Sequence, residues 1–179
     1  MAANTARAQD AFFWLEQAKR LDAAAMLIWA GIQKDLAAMS KLAPGATVTR
    51  DQVPNAYLGG VFWLNAGLAL ENLLKGIIVK RDPKSAANGR LARHLKTHNL
   101  LELCDRAGAK LSESEAFYLC TATRCVQWTG RYPTSTSGEG PEASVFSESD
   151  VLAYRALFDR LAGDEDFTER RVVIFSRVR

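Results

Sequence analysis

Apolar residues recur at steps of three and four through the first part of the chain, at Leu21, Ala25, Ile28, Ile32, Leu36 and Met39. That spacing marks one face of a helix with 3.6 residues per turn. It predicts a long helix from about Thr5 to Leu42, stopped by Pro44-Gly45. Gly31 inside it marks a bend or a close crossing. A second apolar run, Ala56 to Val79, predicts a helix that starts near Asp51 to Asn55 and runs to about Arg81. Pro54 is tolerated in its first turn, where a backbone N–H has no helical partner, and Asp82-Pro83 ends it.

A connection from Lys84 to Thr97 follows, with Asn88-Gly89 as a turn signal. Its length exceeds the usual short link and points to a role or to mobility. A short third helix spans about His98 to Ala107, with Thr97 at the N-cap and Gly108 just past the C-terminus. Ser112-Glu113-Ser114-Glu115 is a capping box that opens a fourth helix, running to about Thr129 and ending at Gly130. Thr134 to Ala143 reads as an exposed loop. A last helix covers about Ser149 to Ala162, with Val151, Leu152, Leu157, Phe158 and Leu161 as its apolar residues. The tail carries Val172, Val173, Ile174 and Phe175 between arginines, a pattern compatible with a strand, a helical extension or a disordered end. The whole predicts an all-α, up-and-down bundle of four to five helices.

The second helix is apolar nearly all round, so its polar residues stand out. At about 100° per residue, Asn65, Glu71, Asn72 and Lys75 fall within one third of the circumference. Glu71 and Lys75 are spaced i,i+4 in the favourable order. The stripe is either solvated, with one surface ion pair, or it lines a cleft facing His98 or Arg131. A buried carboxylate would need such a cationic partner.

Composition narrows the picture without deciding it. With 179 residues, 48% hydrophobic and 24% charged, the chain suits one soluble domain over 1–179, its segment 164–179 a basic tail. Three cysteines without CxxC spacing predict neither a disulfide framework nor a zinc site. Met1 to Asp10 has no apolar signal core, and Asn65, Glu71, Asn72 and Lys75 interrupt the most apolar stretch. A cytoplasmic protein without membrane association or cofactor is expected. The net charge of +3 is mild, so any nucleic-acid partner must be argued from local clustering.

Such clustering exists. From Lys80 to His98 the chain holds Lys80, Arg81, Lys84, Arg90, Arg93 and Lys96, with Asp82 the lone acid and two histidines, His94 and His98, added to them. Cations so arranged suit phosphate contacts, because each neutralised phosphate releases a counterion. A solvated loop that aids solubility would look the same. No aromatic residue interleaves, so base stacking from this loop is not indicated. His98 stands at a helix start, where the helix dipole disfavours an imidazolium and a neutral imidazole can act as base or acceptor. Arg131 follows a helix end, where a cation is favoured.

Three islands in this order carry a resemblance: Leu70-Glu71-Asn72-Leu73-Leu74-Lys75-Gly76, then Thr97-His98-Asn99-Leu100-Leu101-Glu102-Leu103, then Arg131-Tyr132-Pro133. Together they resemble the HEPN superfamily, over roughly residues 55 to 135. These are helical bundles that often accompany minimal nucleotidyltransferases. The resemblance implies a HEPN-like bundle, commonly a homodimer, that binds a nucleotide, RNA or a nucleotidyltransferase partner, in many members within a toxin–antitoxin or defence system. It implies ligand contacts at Glu71, Asn72, Lys75, Arg131 and Tyr132. Ribonucleases of that superfamily need no metal and carry an Arg followed four to six residues later by a His, which Arg93 and His98 match. Those enzymes would use His for proton transfer and Arg for the developing phosphorane charge. In them the motif lies on a later helix, where Arg131 falls here, and no histidine follows Arg131. That departure favours binding over cleavage. A purely structural or interaction bundle is the third alternative.

Overall fold

A helix apolar on every side has to be surrounded, and the second helix is. In the computed structural model, which describes residues 8–43, 45–129 and 147–163, it forms the axis of the bundle. Among the described residues five α-helices follow in order: α1 (Ala11–Met39), α2 (Gly59–Arg81), α3 (Leu100–Arg106), α4 (Glu113–Arg124) and α5 (Glu148–Gly163). They pack up and down as an all-α bundle, and the described residues contain no strand. By length and composition α2 could cross a membrane, but 72% of its most apolar stretch is buried by the other elements.

Helix α1 lies antiparallel to α2. Its start meets the end of α2, where Gly76 admits the Trp14 side chain, and its end meets the start, where Gly31 lets Asn55 approach closely. Gly31 is therefore a close-contact position, one of the two roles its sequence context suggests. The inward face of α1 differs from the apolar stripe at its C-terminal end. Ala25, Trp29 and Ile32 are buried, but Leu36 and Met39 are 46% and 38% exposed. Asp35 takes the inward position instead. Its carboxylate accepts the Asn55 and Ala56 amides, the latter at 3.1 Å, and the Asn55 side-chain amide at 3.3 Å. These bonds hold residues 55 and 56 in turns, so α2 begins at Gly59 rather than near Asn55.

At the other side of the axis, aromatic rings join α2, α4 and α5. Trp63 and Tyr118 lie 4.7 Å apart, and Phe62 and Tyr154 5.9 Å apart, edge to face. Tyr154 is fully buried, whereas Leu152 is 64% exposed, so the aromatic and not the leucine faces the core of α5. The Tyr154 hydroxyl donates to Asp22 at 2.7 Å, which satisfies its polar end and reaches across to α1. Burial pushes the Tyr154 phenol far above its ordinary range.

Helix ends follow local chemistry. Asn99, not Thr97, caps α3: its side-chain oxygen accepts from Leu101 N and Glu102 N, and Thr97 Oγ1 accepts from Asn99 N. Gly108 has φ +64° beyond the α3 C-terminus, a conformation that suits glycine. The Ser112–Glu115 capping box forms as the sequence predicts. Helix α4 does not run regularly to Thr129, because Cys125–Thr129 widens into a π-turn. There Gly67 of α2 faces Val126 and Ala122 at closest packing.

Candidate functional site

The polar stripe of α2 is buried at Glu71 and Lys75 and half-buried at Asn65 and Asn72. Glu71 and Lys75 are each 5% exposed, and Lys75 Nζ donates to Glu71 Oε1 at 2.7 Å. The other carboxylate oxygen, Oε2, lies 2.9 Å from Nδ1 of His98. One carboxylate thus joins a lysine on its own helix to a histidine just before α3. Removing two charges from water is costly, and close pairing with further hydrogen bonds is what offsets it. The His98 side chain is 44% exposed, and its Nε2 makes no hydrogen bond among the described residues. The ring therefore has a fixed inner edge and a solvent-facing outer edge.

Asn72 belongs to the same stripe by sequence but not to this cluster. Its side-chain amide donates back to Leu68 O at 2.8 Å, on its own helix. Asn65 does the same to Val61 O at 2.8 Å. Arg131 and Tyr132 lie outside the described residues.

The connection from α2 to α3 is built as two short 3₁₀ turns, Pro83–Gly89 and Arg93–Leu95. Asp82 caps the first by accepting Lys84 N at 3.2 Å and the Ser85 hydroxyl at 2.9 Å. Ser85 Oγ lies 3.0 Å from His94 Nε2, and Ala92 N donates to Ser85 O at 2.7 Å. Ala86 and Leu95 are fully buried and anchor the two turns in the core. The residues Asp82, Ser85 and His94 include the types of a nucleophilic triad, but the order is wrong. Serine sits between the other two, is 2% exposed and gives its proton to the carboxylate, so this cluster pins the connection. The Asp-Pro-x-Ser pattern, with Ser three residues after a capping Asp, is the sequence signal for it.

On this anchored frame Lys84, Arg90, Arg93 and Lys96 are exposed. Their side chains form no ion pair among the described residues. Arg81 is used differently: its guanidinium donates to Ala107 O and closes the C-terminus of α3. The amides at the start of α3 are already taken, by Asn99 and by Thr123 Oγ1, which accepts Leu100 N at 3.1 Å. Any phosphate at this end of the bundle has side-chain cations to meet, not free helix amides.

A cavity of about 420 Å³ lies elsewhere, between the start of α4 and α5, lined by Ser112, Glu115, Tyr118, Ala153 and Leu157 among others. It contains none of the site residues the sequence suggests. No group of three or more His, Cys, Asp or Glu side chains that could hold a metal ion occurs among the described residues. Comparison with family models, curated proteins and solved structures finds no match to this chain.

Proposed function

We propose that this chain is a HEPN-like bundle that binds RNA through the phosphate backbone, at the α2–α3 connection and His98. One observation carries the reading. Four exposed cations without ion-pair partners among the described residues stand on a connection pinned at Asp82, Ser85, His94 and Leu95, and that connection leads directly to a histidine held by a buried carboxylate. A loop needed only for solubility has no use for such anchoring. Cations held in place lose less freedom when a ligand binds, and each that meets a phosphate releases a counterion.

The test is a titration of labelled single-stranded RNA at two salt concentrations. Binding should weaken with salt, with a log–log slope of about −2 to −3 for three to four phosphate contacts. Joint replacement of Arg90 and Arg93 by alanine should shallow that slope. No binding at low salt would reject the reading and leave a protein partner, such as a nucleotidyltransferase, as its successor. The resemblance also supports a homodimer, which light scattering on the purified protein checks, and a place in a toxin–antitoxin or defence system.

The Glu71–His98 bond favours a second reading, a metal-independent ribonuclease in which His98 acts as base and Arg93 stabilises phosphorane charge. It requires RNA cleavage in EDTA that disappears in His98→Ala.

A further inference from the structure

The large apolar side chains exposed among the described residues are unevenly spread. Five of the nine, Leu36, Met39, Leu42, Tyr57 and Val61, belong to the end of α1, the start of α2 and the segment between them. Leu36 and Met39 continue the apolar stripe of α1, but α2 begins only at Gly59, so the last turns of α1 reach past the helix that covers the rest of the stripe. This end of the bundle is held in shape. The Asp35 carboxylate ties down Asn55 and Ala56 next to Tyr57, and turns close from Gln52 N to Thr49 O at 3.1 Å and from Ala56 N to Val53 O at 3.2 Å. A surface fixed in this way loses little freedom on being covered.

The same end is poor in charge. From Leu42 to Leu70 the only charged residues are Arg50 and Asp51, in a chain that is 24% charged. Exposed apolar and aromatic side chains with charge depleted around them have the composition of an interface core. The two charges indicate the partner. They are adjacent, opposite in sign and exposed, and neither joins an ion pair among the described residues. Arg50 lies over the Tyr57 ring at 5.6 Å, which puts the pair at the edge of the apolar cluster. A partner of one charge sign would leave either Arg50 or Asp51 facing its own sign. A second copy related by a two-fold axis brings Arg50 to Asp51 and Asp51 to Arg50, because such a face is complementary to itself. Resting on the homodimer reading above, we infer that two copies of this chain meet through this end, with Leu36, Met39, Leu42 and Tyr57 packed across the axis and Arg50–Asp51 pairs at the rim. The α2–α3 connection leaves the opposite end of α2, after Arg81, so the dimer leaves both basic connections uncovered.

Sedimentation equilibrium of the full chain over a range of concentrations tests this. The wild type should be a dimer. Leu36→Glu, at a position half exposed within one chain, should weaken dimerisation about thirty-fold, the level of a central interface residue. Asp51→Arg should weaken it as well, since cations then face cations, and so should Arg50→Asp. An equimolar mixture of these two charge variants should recover the dimer as mixed pairs. Circular dichroism of each variant separates loss of the dimer from loss of the fold, and the charge variants carry the test if Leu36→Glu does not fold. A dimer left intact by Leu36→Glu and Asp51→Arg rejects this face and leaves the homodimer reading standing. No recovery in the mixture rejects the two-fold pairing of Arg50 with Asp51. A wild type that is monomeric at every concentration rejects both.

Discussion

Glu71 and His98 are 27 residues apart in sequence, and their side chains meet at 2.9 Å, Oε2 to Nδ1. The pairing ties the middle of the axial helix to the segment that starts α3. Lys75 occupies the other carboxylate oxygen and balances the buried charge of Glu71, and His98 adds a second hydrogen bond to it.

The first prediction concerns that balance. Lys75→Met leaves Glu71 buried with the imidazole alone and should cost about 3–5 kcal/mol, the range for breaking a buried pair from one side. The double variant Glu71→Gln with Lys75→Met should cost clearly less than the single one, since no uncompensated charge remains. Urea unfolding of both variants measures this. Equal or additive losses would show that the pair is not electrostatically coupled.

Gly67 tests the packing of α2 against the π-turn. A Cβ there would lie 2.5 Å from Val126 Cγ2 and 3.2 Å from the Ala122 carbonyl oxygen. Gly67→Ala should therefore destabilise the fold by about 1–3 kcal/mol despite the better helix propensity of alanine. A stabilised variant in thermal or urea unfolding would contradict this contact.

The cysteines offer a chemical probe. Cys104 and Cys125 are buried, whereas Cys120 is exposed. Burial also pushes the Cys104 thiol up to about 12, so little thiolate forms at pH 8. Reaction with a thiol reagent at that pH should give one fast equivalent, abolished by Cys120→Ser, and three equivalents in denaturant. Two or more fast equivalents would mean that the helices do not bury these thiols.

Acid should loosen the start of α4. Burial alone would raise the Glu115 carboxyl, but the Ser112 amide and the Arg160 guanidinium more than offset it and hold it below its ordinary value of 4.5. A lowered folded value means that stability is present in full above pH 4.5 and is lost as pH falls through the folded value. Glu115→Gln should cost about 1 kcal/mol at pH 7, the scale of a lost cap and a partly exposed ion pair. The gap to wild type should narrow as pH falls below 4.5. A gap that stays constant with pH would sink the electrostatic account.

Local physics settled much of this molecule from its residues. The 3.6-residue period at Leu21, Ala25 and Ile32, the all-round apolarity of Ala56 to Val79 and the Ser112–Glu115 capping box each state their structure over a few turns, so the all-α bundle and most of its helices could be read directly. The i,i+4 step of Glu71 and Lys75 likewise implied a pair, because helix geometry brings those positions together. Whether the pair faced water or the core could not be read, since that depends on which elements cover α2. The folded chain buried it and brought His98 to it. In the same way Asp35 replaced Leu36 on the inward face because residues 55 and 56 needed an acceptor, and Ser85 and His94 became an anchor only when the connection folded back on itself. Periodicity records how a helix meets an average environment. Hydrogen bonds between residues tens of positions apart depend on where tertiary packing puts them, as it does for Glu71 and His98.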